Sequence, residues 1–158
     1  MTKFKFLVVA AIAIAIFSAC SDNYVYNGYV TLPGEQWHAD SLASFRVPVS
    51  DTVTFYNLYV NVRNTTDYPF QNLYLFIDIA APNGATARDT FECYLADEHG
   101  KWLGKGRGKL RDNRFLYRQN VRFGAEGDYT VTLQQAMRVE QLKGISEVGF
   151  RVELGNKK

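Results

Sequence analysis

The side chains suited to chemistry in this chain are few and scattered. Its two histidines, His38 and His99, lie far apart in sequence. Asp97, Glu98 and His99 are consecutive and carry donors that suit a metal ion. Three neighbours on a hairpin tip rarely converge on one ion without further ligands, so the expectation is a solvated turn and no metal. Asp78 and Glu92 could pair across neighbouring strands as the two carboxylates that glycoside hydrolysis requires. Charges on the outward face of a strand are, however, the ordinary condition of an exposed sheet. No serine sits in a nucleophile elbow, and no histidine is placed to serve as its base. Cys93 alternates with Phe91 and Leu95, the setting of a buried strand thiol, and nothing nearby would stabilise a thiolate. The expectation is a chain with no enzymatic activity, no catalytic residues and no cofactor.

Two features point to binding instead. From Lys101 to Arg122 there are eight basic residues and one acid, Asp112, a local charge of +7. Within it Lys105, Arg107, Lys109 and Arg111 follow or flank Gly104, Gly106 and Gly108. The glycines give a superficial likeness to a phosphate loop, but no strand–loop–helix context follows and the Walker lysine pattern is absent. One reading is an edge ribbon whose cations discourage strand pairing. The other is a contact for an anionic partner: lipopolysaccharide, an acidic glycan or an acidic protein surface. The second feature is aromatic excess, with two tryptophans, ten tyrosines and eleven phenylalanines. Outward aromatics stack on sugar rings or anchor protein interfaces, and they also complete the core of a small β domain that has no disulfide. Trp37, Trp102, Lys105, Arg107, Lys109 and Arg111 are the candidate partner-binding residues.

Cys20 sets the address. Met1–Lys5 is a short basic start, Phe6–Phe17 is an apolar run, and Ser18 and Ala19 precede the cysteine. This is the pattern of a bacterial lipoprotein signal peptide, with Phe17 where leucine is more usual. The apolar run is shorter than the roughly 20 residues that span a bilayer. Residues 1–19 are therefore expected to leave, Cys20 to carry lipid, and residues 20–27 to form a lipidated tether to a single domain at 28–158. Loss of Lys3 and Lys5 from the 18 basic residues leaves 16, against 16 acidic ones. That balance gives no reason to expect nucleic acid as a partner. With Cys20 acylated, Cys93 is the remaining thiol and no intramolecular disulfide can form. Ser21, Asp22 and Asn23 hold one acid, short of the acidic run that usually marks surface export, which favours the outer membrane facing the periplasm.

The elements that must position these residues follow period two. Tyr56, Leu58, Val60 and Val62 alternate with Phe55, Asn57, Tyr59 and Asn61, and Leu73, Leu75, Ile77 and Ile79 with Tyr74, Phe76 and Asp78. Phe91–Leu95, Tyr129–Leu133 and Val148–Leu154 repeat the pattern, with weaker runs at Phe45–Val49 and Phe115–Val121. Turn signals fall between them at Pro82–Gly84, Asp97–Gly100, Gly124–Gly127 and Gly144. The prediction is an all-β, antiparallel, jelly-roll-like β-sandwich of about seven or eight strands. One short helix is expected within Gln135–Lys143, capped by Gly144.

In order and spacing, a set of short pieces resembles the gliding-motility lipoprotein H (GldH) family of the Bacteroidota. They are Trp37, Phe45 and Asp51–Thr52, then Leu58–Arg63, Tyr68–Leu75, Asp89–Thr90, Leu95–Gly104, Gly127–Val131, Gln134–Arg138, Leu142–Ile145 and Val148–Gly149. The resemblance covers nearly the whole mature chain. It implies an envelope lipoprotein that serves gliding, linked to a secretion machinery, with envelope proteins as partners and no catalytic residues. The runner-up reading is a glycan-binding lipoprotein. Read physically, Arg63 and Asp67 would pair locally, Gly127 and Tyr129 would form a tyrosine corner, and Met137, Leu142 and Ile145 would pack the short helix.

Overall fold

The computed structural model describes residues 23–155, so Cys20 and the segment before it lie outside the described residues. Ten strands run through them: β1 (Tyr24–Thr31), β2 (Gln36–His38), β3 (Ala43–Val49), β4 (Tyr56–Thr65), β5 (Asn72–Ala80), β6 (Thr86–Tyr94), β7 (Leu110–Val121), β8 (Gly127–Gln135), β9 (Gln141–Lys143) and β10 (Ile145–Leu154). One four-stranded sheet has the order β1-β10-β4-β7 and the other β3-β8-β5-β6, with β2 and β9 paired as a small ribbon. Every pairing is antiparallel. With the ribbon set aside, each principal strand crosses to the other sheet from the one before it, except for the β5–β6 hairpin, which is jelly-roll connectivity.

Alternation builds the core. In β3, Ala43, Phe45, Val47 and Val49 are buried while Ser44, Arg46 and Pro48 face water. Leu58, Val60 and Val62 of β4, Val148, Phe150 and Val152 of β10, and Tyr129, Val131 and Leu133 of β8 meet them from both sheets. The rings of Phe45 and Phe150 lie 6.4 Å apart across the sandwich. Each such side chain contributes about 1.5–3 kcal/mol by leaving water, and the cluster holds the two layers together without a disulfide. Cys93 is fully buried in it, and burial pushes its thiol well above the ordinary range, so it is packing material.

The two sides of the sandwich close differently. On one side β1 lies against β3. On the other, Asp89 of β6 accepts a hydrogen bond from the Tyr117 hydroxyl at 2.5 Å and another from Arg118, both on β7. The same side is bridged by the chain between β6 and β7, which pairs Trp102 with Ala96 and Lys105 with Asp112. Tyr129 forms the expected corner: its hydroxyl accepts from the Ala125 amide and donates to the Ala125 carbonyl, both at 3.1 Å.

Three expectations need correction. No helix forms between Gln135 and Lys143; Ala136–Glu140 is a loop and Gln141–Lys143 is β9. Buried Gln135 explains this, because its side chain takes the Met137 N–H and donates to the Val139 carbonyl, satisfying the backbone a helix would otherwise pair. The helical content among the described residues is a single 3₁₀ turn at Pro33–Glu35. Next, β1 begins at Tyr24, inside the segment assigned to the tether. Finally, Arg63 does not pair with Asp67. It sits on the outer sheet face between Asp112 at 2.5 Å and Glu147 at 2.7 Å.

Strand register also gives the molecule two ends. Tyr24, Glu153, Tyr56 and Val121 meet at the end where β1 starts. Thr31, Glu147, Thr65 and Leu110 meet at the other, and the loop that carries Lys105, Arg107 and Lys109 lies there.

Candidate functional site

The basic stretch divides into tied and untied cations. Lys109 pairs with Glu35 at 3.1 Å, Arg114 with Glu153 at 3.2 Å, and Arg118 with Asp89. Arg111 donates to the carbonyls of Gly108 and Leu110, and Arg122 lies 4.1 Å from the centre of the Phe55 ring. Lys101, Lys105 and Arg107 make no side-chain hydrogen bond or ion pair among the described residues, and all three are exposed. The glycines serve the loop rather than a phosphate. A Cβ on Gly106 would stand 2.1 Å from the Leu110 carbonyl oxygen, so only glycine lets these two backbone segments approach.

Of the sequence candidates, Lys105, Arg107 and Lys109 lie on this loop and Arg111 follows at the start of β7, with half-buried Trp102 packed on the core at the loop's base. Trp37 is elsewhere and offers a partner no surface. It is 0% exposed, pairs with Leu142 in the β2–β9 ribbon, and donates its indole N–H to the Ser41 carbonyl at 2.9 Å. Its role is in the core, which corrects the expectation of a binding residue.

The arrangements weighed for catalysis do not assemble. Asp78 stands opposite Arg88 and Glu92 opposite Tyr74, so the two carboxylates are four positions apart along β6 rather than paired. Glu92 is bound by Asn72 at 2.7 Å and by Tyr94 at 2.9 Å, and those bonds, Asn72 first, hold its pKa below the ordinary carboxylate range. Asp97 accepts the backbone N–H groups of His99 and Lys101, which fixes the hairpin tip. Among the described residues, no three His, Cys, Asp or Glu side chains converge as a metal group would require.

Two grooves went unread in the sequence. The larger, about 710 Å³, lies along the outer face and rim of the β1-β10-β4-β7 sheet and is lined by Tyr29, Asn61, Arg63, Lys105, Asp112 and Arg114 among others. The alternation placed Asn61 on the outward set, and nothing in composition marks it as 4% exposed. The other groove, about 580 Å³, lies on the opposite sheet between Phe70, Tyr74, Phe76, Met137 and Val139. Its aromatics were legible as an outward set, whereas the wall from Met137 to Val139 depended on the loop that replaces the expected helix.

A family model described as GldH lipoprotein matches residues 24–152. The chain is 38% identical over 147 residues to the gliding motility lipoprotein GldH homolog of Christiangramia forsetii, covering 89% of this chain and 90% of that protein. It is 39% identical over 148 residues to the gliding motility lipoprotein GldH of Flavobacterium johnsoniae, covering 89% and 91%. Among solved structures, a chain of the infectious bursal disease virus Gx strain aligns over 85% of this chain and 33% of its own. Its TM-score of 0.25 and 11% identity carry no weight.

Proposed function

This chain belongs to the GldH lipoprotein family, and from that premise we propose a non-enzymatic accessory of a gliding-motility or secretion-associated envelope assembly. Lipid on Cys20 anchors it, with the outer membrane facing the periplasm as the site. The supporting observation is one of placement. The loop with Lys105 and Arg107 lies at the end of the sandwich opposite the start of β1, the end nearest Cys20 in sequence. Cations at that end face away from the anchoring membrane. This favours a protein partner across the periplasm over a contact with the anchoring membrane itself. The test is a crosslinked, detergent-solubilised pull-down of the tagged lipoprotein from its own cells, with Cys20→Ala as control. Enrichment of motility or secretion proteins by the wild type, lost with Cys20→Ala, is the expected result. A wild-type pull-down without such proteins, in cells that express the machinery, would sink the reading.

A second reading has one specific observation behind it. The groove between Phe70, Tyr74, Phe76, Met137 and Val139 presents aromatic rings of the kind that stack on sugars. Arg88 already covers one face of Phe76, 4.7 Å from its centre, which lessens the platform. Glycan-dependent quenching of tyrosine emission that Tyr74→Ala abolishes would favour this alternative.

A further inference from the structure

The outer face of the β1-β10-β4-β7 sheet is an ordered array of rows. One row runs Asp112, Arg63, Glu147 and Thr31, and the next runs Arg114, Asn61, Gly149 and Tyr29. Around these, polar groups are matched. Arg63 lies between Asp112 and Glu147, while Arg114 and Arg151 share Glu153 at 3.2 and 2.6 Å. Asn57 Oδ1 accepts the Asn120 amide at 2.9 Å.

Asn61 breaks the pattern. Its side-chain Nδ2 is the sole buried side-chain nitrogen or oxygen without a hydrogen-bond partner among the described residues. An amide donor sealed from water with no acceptor is costly, and a sheet face open to solvent offers many ways to avoid it. Its neighbour Gly149 supplies the notch. A Cβ there would stand 2.8 Å from Cδ1 of Tyr29 and 2.8 Å from the Gly28 carbonyl oxygen, so glycine is what lets the Tyr29 ring lie across the sheet. Tyr29 itself is 48% exposed. Of the three cations in the groove that Asn61 lines, Arg63 is matched by Asp112 and Glu147 and Arg114 by Glu153, which leaves Lys105 untied. Tyr94 and Leu103, both exposed, extend its rim. Tyrosine and arginine around a sealed polar centre is the composition of a protein-binding hot spot.

We propose that this groove docks an acidic segment of a partner protein, with one carboxylate oxygen accepting from Asn61 Nδ2 and Lys105 meeting the segment's charge at the rim while Tyr29 packs on its backbone. Chemistry selects the occupant: the untied Lys105 ammonium and the unmatched Asn61 donor both call for an acceptor, and a carboxylate supplies one with the complementary charge. Side-chain movement at Tyr29 or Arg114 opens the amide to the incoming oxygen. The inference rests on the partner-binding reading above and names its surface.

The test uses full-length lipidated protein in detergent micelles and three probes. They are a short fluorescein-labelled peptide of alternating glutamate and valine, its glutamine counterpart, and an oligomer of galacturonate. Anisotropy reads affinity, and the Asn61 side-chain amide signal in NMR reads the contact. The glutamate peptide is expected to bind and move that signal, and the glutamine peptide to bind about tenfold more weakly or worse. Asn61→Leu keeps the volume and removes the unmatched donor. It is expected to melt no lower than wild type yet lose about tenfold in affinity for the glutamate peptide. Equal binding by wild type and Asn61→Leu would overturn the proposal, as would movement of the amide by galacturonate alone. In cells, envelope partners recovered equally with both proteins would leave the accessory role standing and remove this groove from it. No partner with either would remove both.

Discussion

Single side chains here mostly secure the scaffold, and Asp89 is the clearest case. Its carboxylate joins the two sheets through Tyr117 and Arg118, and those bonds, Tyr117 first, hold its pKa below the ordinary carboxylate range. Burial and the same bond push the Tyr117 hydroxyl up to about 12. An unfolded Asp89 regains its ordinary affinity for a proton. The clamp therefore contributes stability above the unfolded value of about 4 and loses it as pH falls through the lower folded value. Asp89→Asn is expected to lower the Tm at neutral pH, with the gap to wild type closing as pH is taken to about 3. Thermal melts across that range would read it, and a gap independent of pH would contradict the clamp. Trp37→Ala should cost about 3–5 kcal/mol in denaturant titrations, because a fully buried indole leaves a cavity. A cost under about 1 kcal/mol would return Trp37 to the surface. The sequence could not separate these roles: tryptophan suits a core and an interface equally, and only burial decides. Tyr129 was legible because the spacing from Gly127 marks a corner.

At the scale of elements, period two carried the reading where strands have one dry face. β3, β4, β5, β8 and β10 were visible for that reason. β1 escaped because it is an edge strand with a glycine and an asparagine in its middle and much of its surface exposed. The helix expected before Gly144 failed for a different cause. The segment Gln135–Lys143 could support a helical turn, but the Gln135 side chain caps a loop, a tertiary arrangement that local pattern does not record. Two predictions belong here. Deleting Tyr24–Asn27 should destabilise the fold, since it strips pairing from β10; a true tether would tolerate the loss. Melting of the truncated and intact proteins decides between them. In the basic loop, Gly106→Ala should lower stability through its clash with the Leu110 carbonyl. The double change Lys105→Glu and Arg107→Glu should alter stability by no more than about 0.5 kcal/mol while weakening partner capture.

Across the whole molecule, the start of β1 and the basic loop stand at opposite ends of one sandwich. Ser21, Asp22 and Asn23 separate Cys20 from β1, so the first strand starts within roughly 14 Å of the lipid if Cys20 carries it. The eight residues of β1 then carry the chain roughly 25 Å further from that point. With lipid on Cys20, as proposed, such a body would hold the Arg107 end away from the membrane and Val53, which is 74% exposed, close to it. The most direct measurement is site-specific photocrosslinking in living cells, with the crosslinker placed at Arg107 or at Val53. Protein adducts with motility or secretion components from position 107 and none from position 53 are the expected result. Adducts from position 53 alone would contradict an accessory that meets its partner at the end away from its anchor.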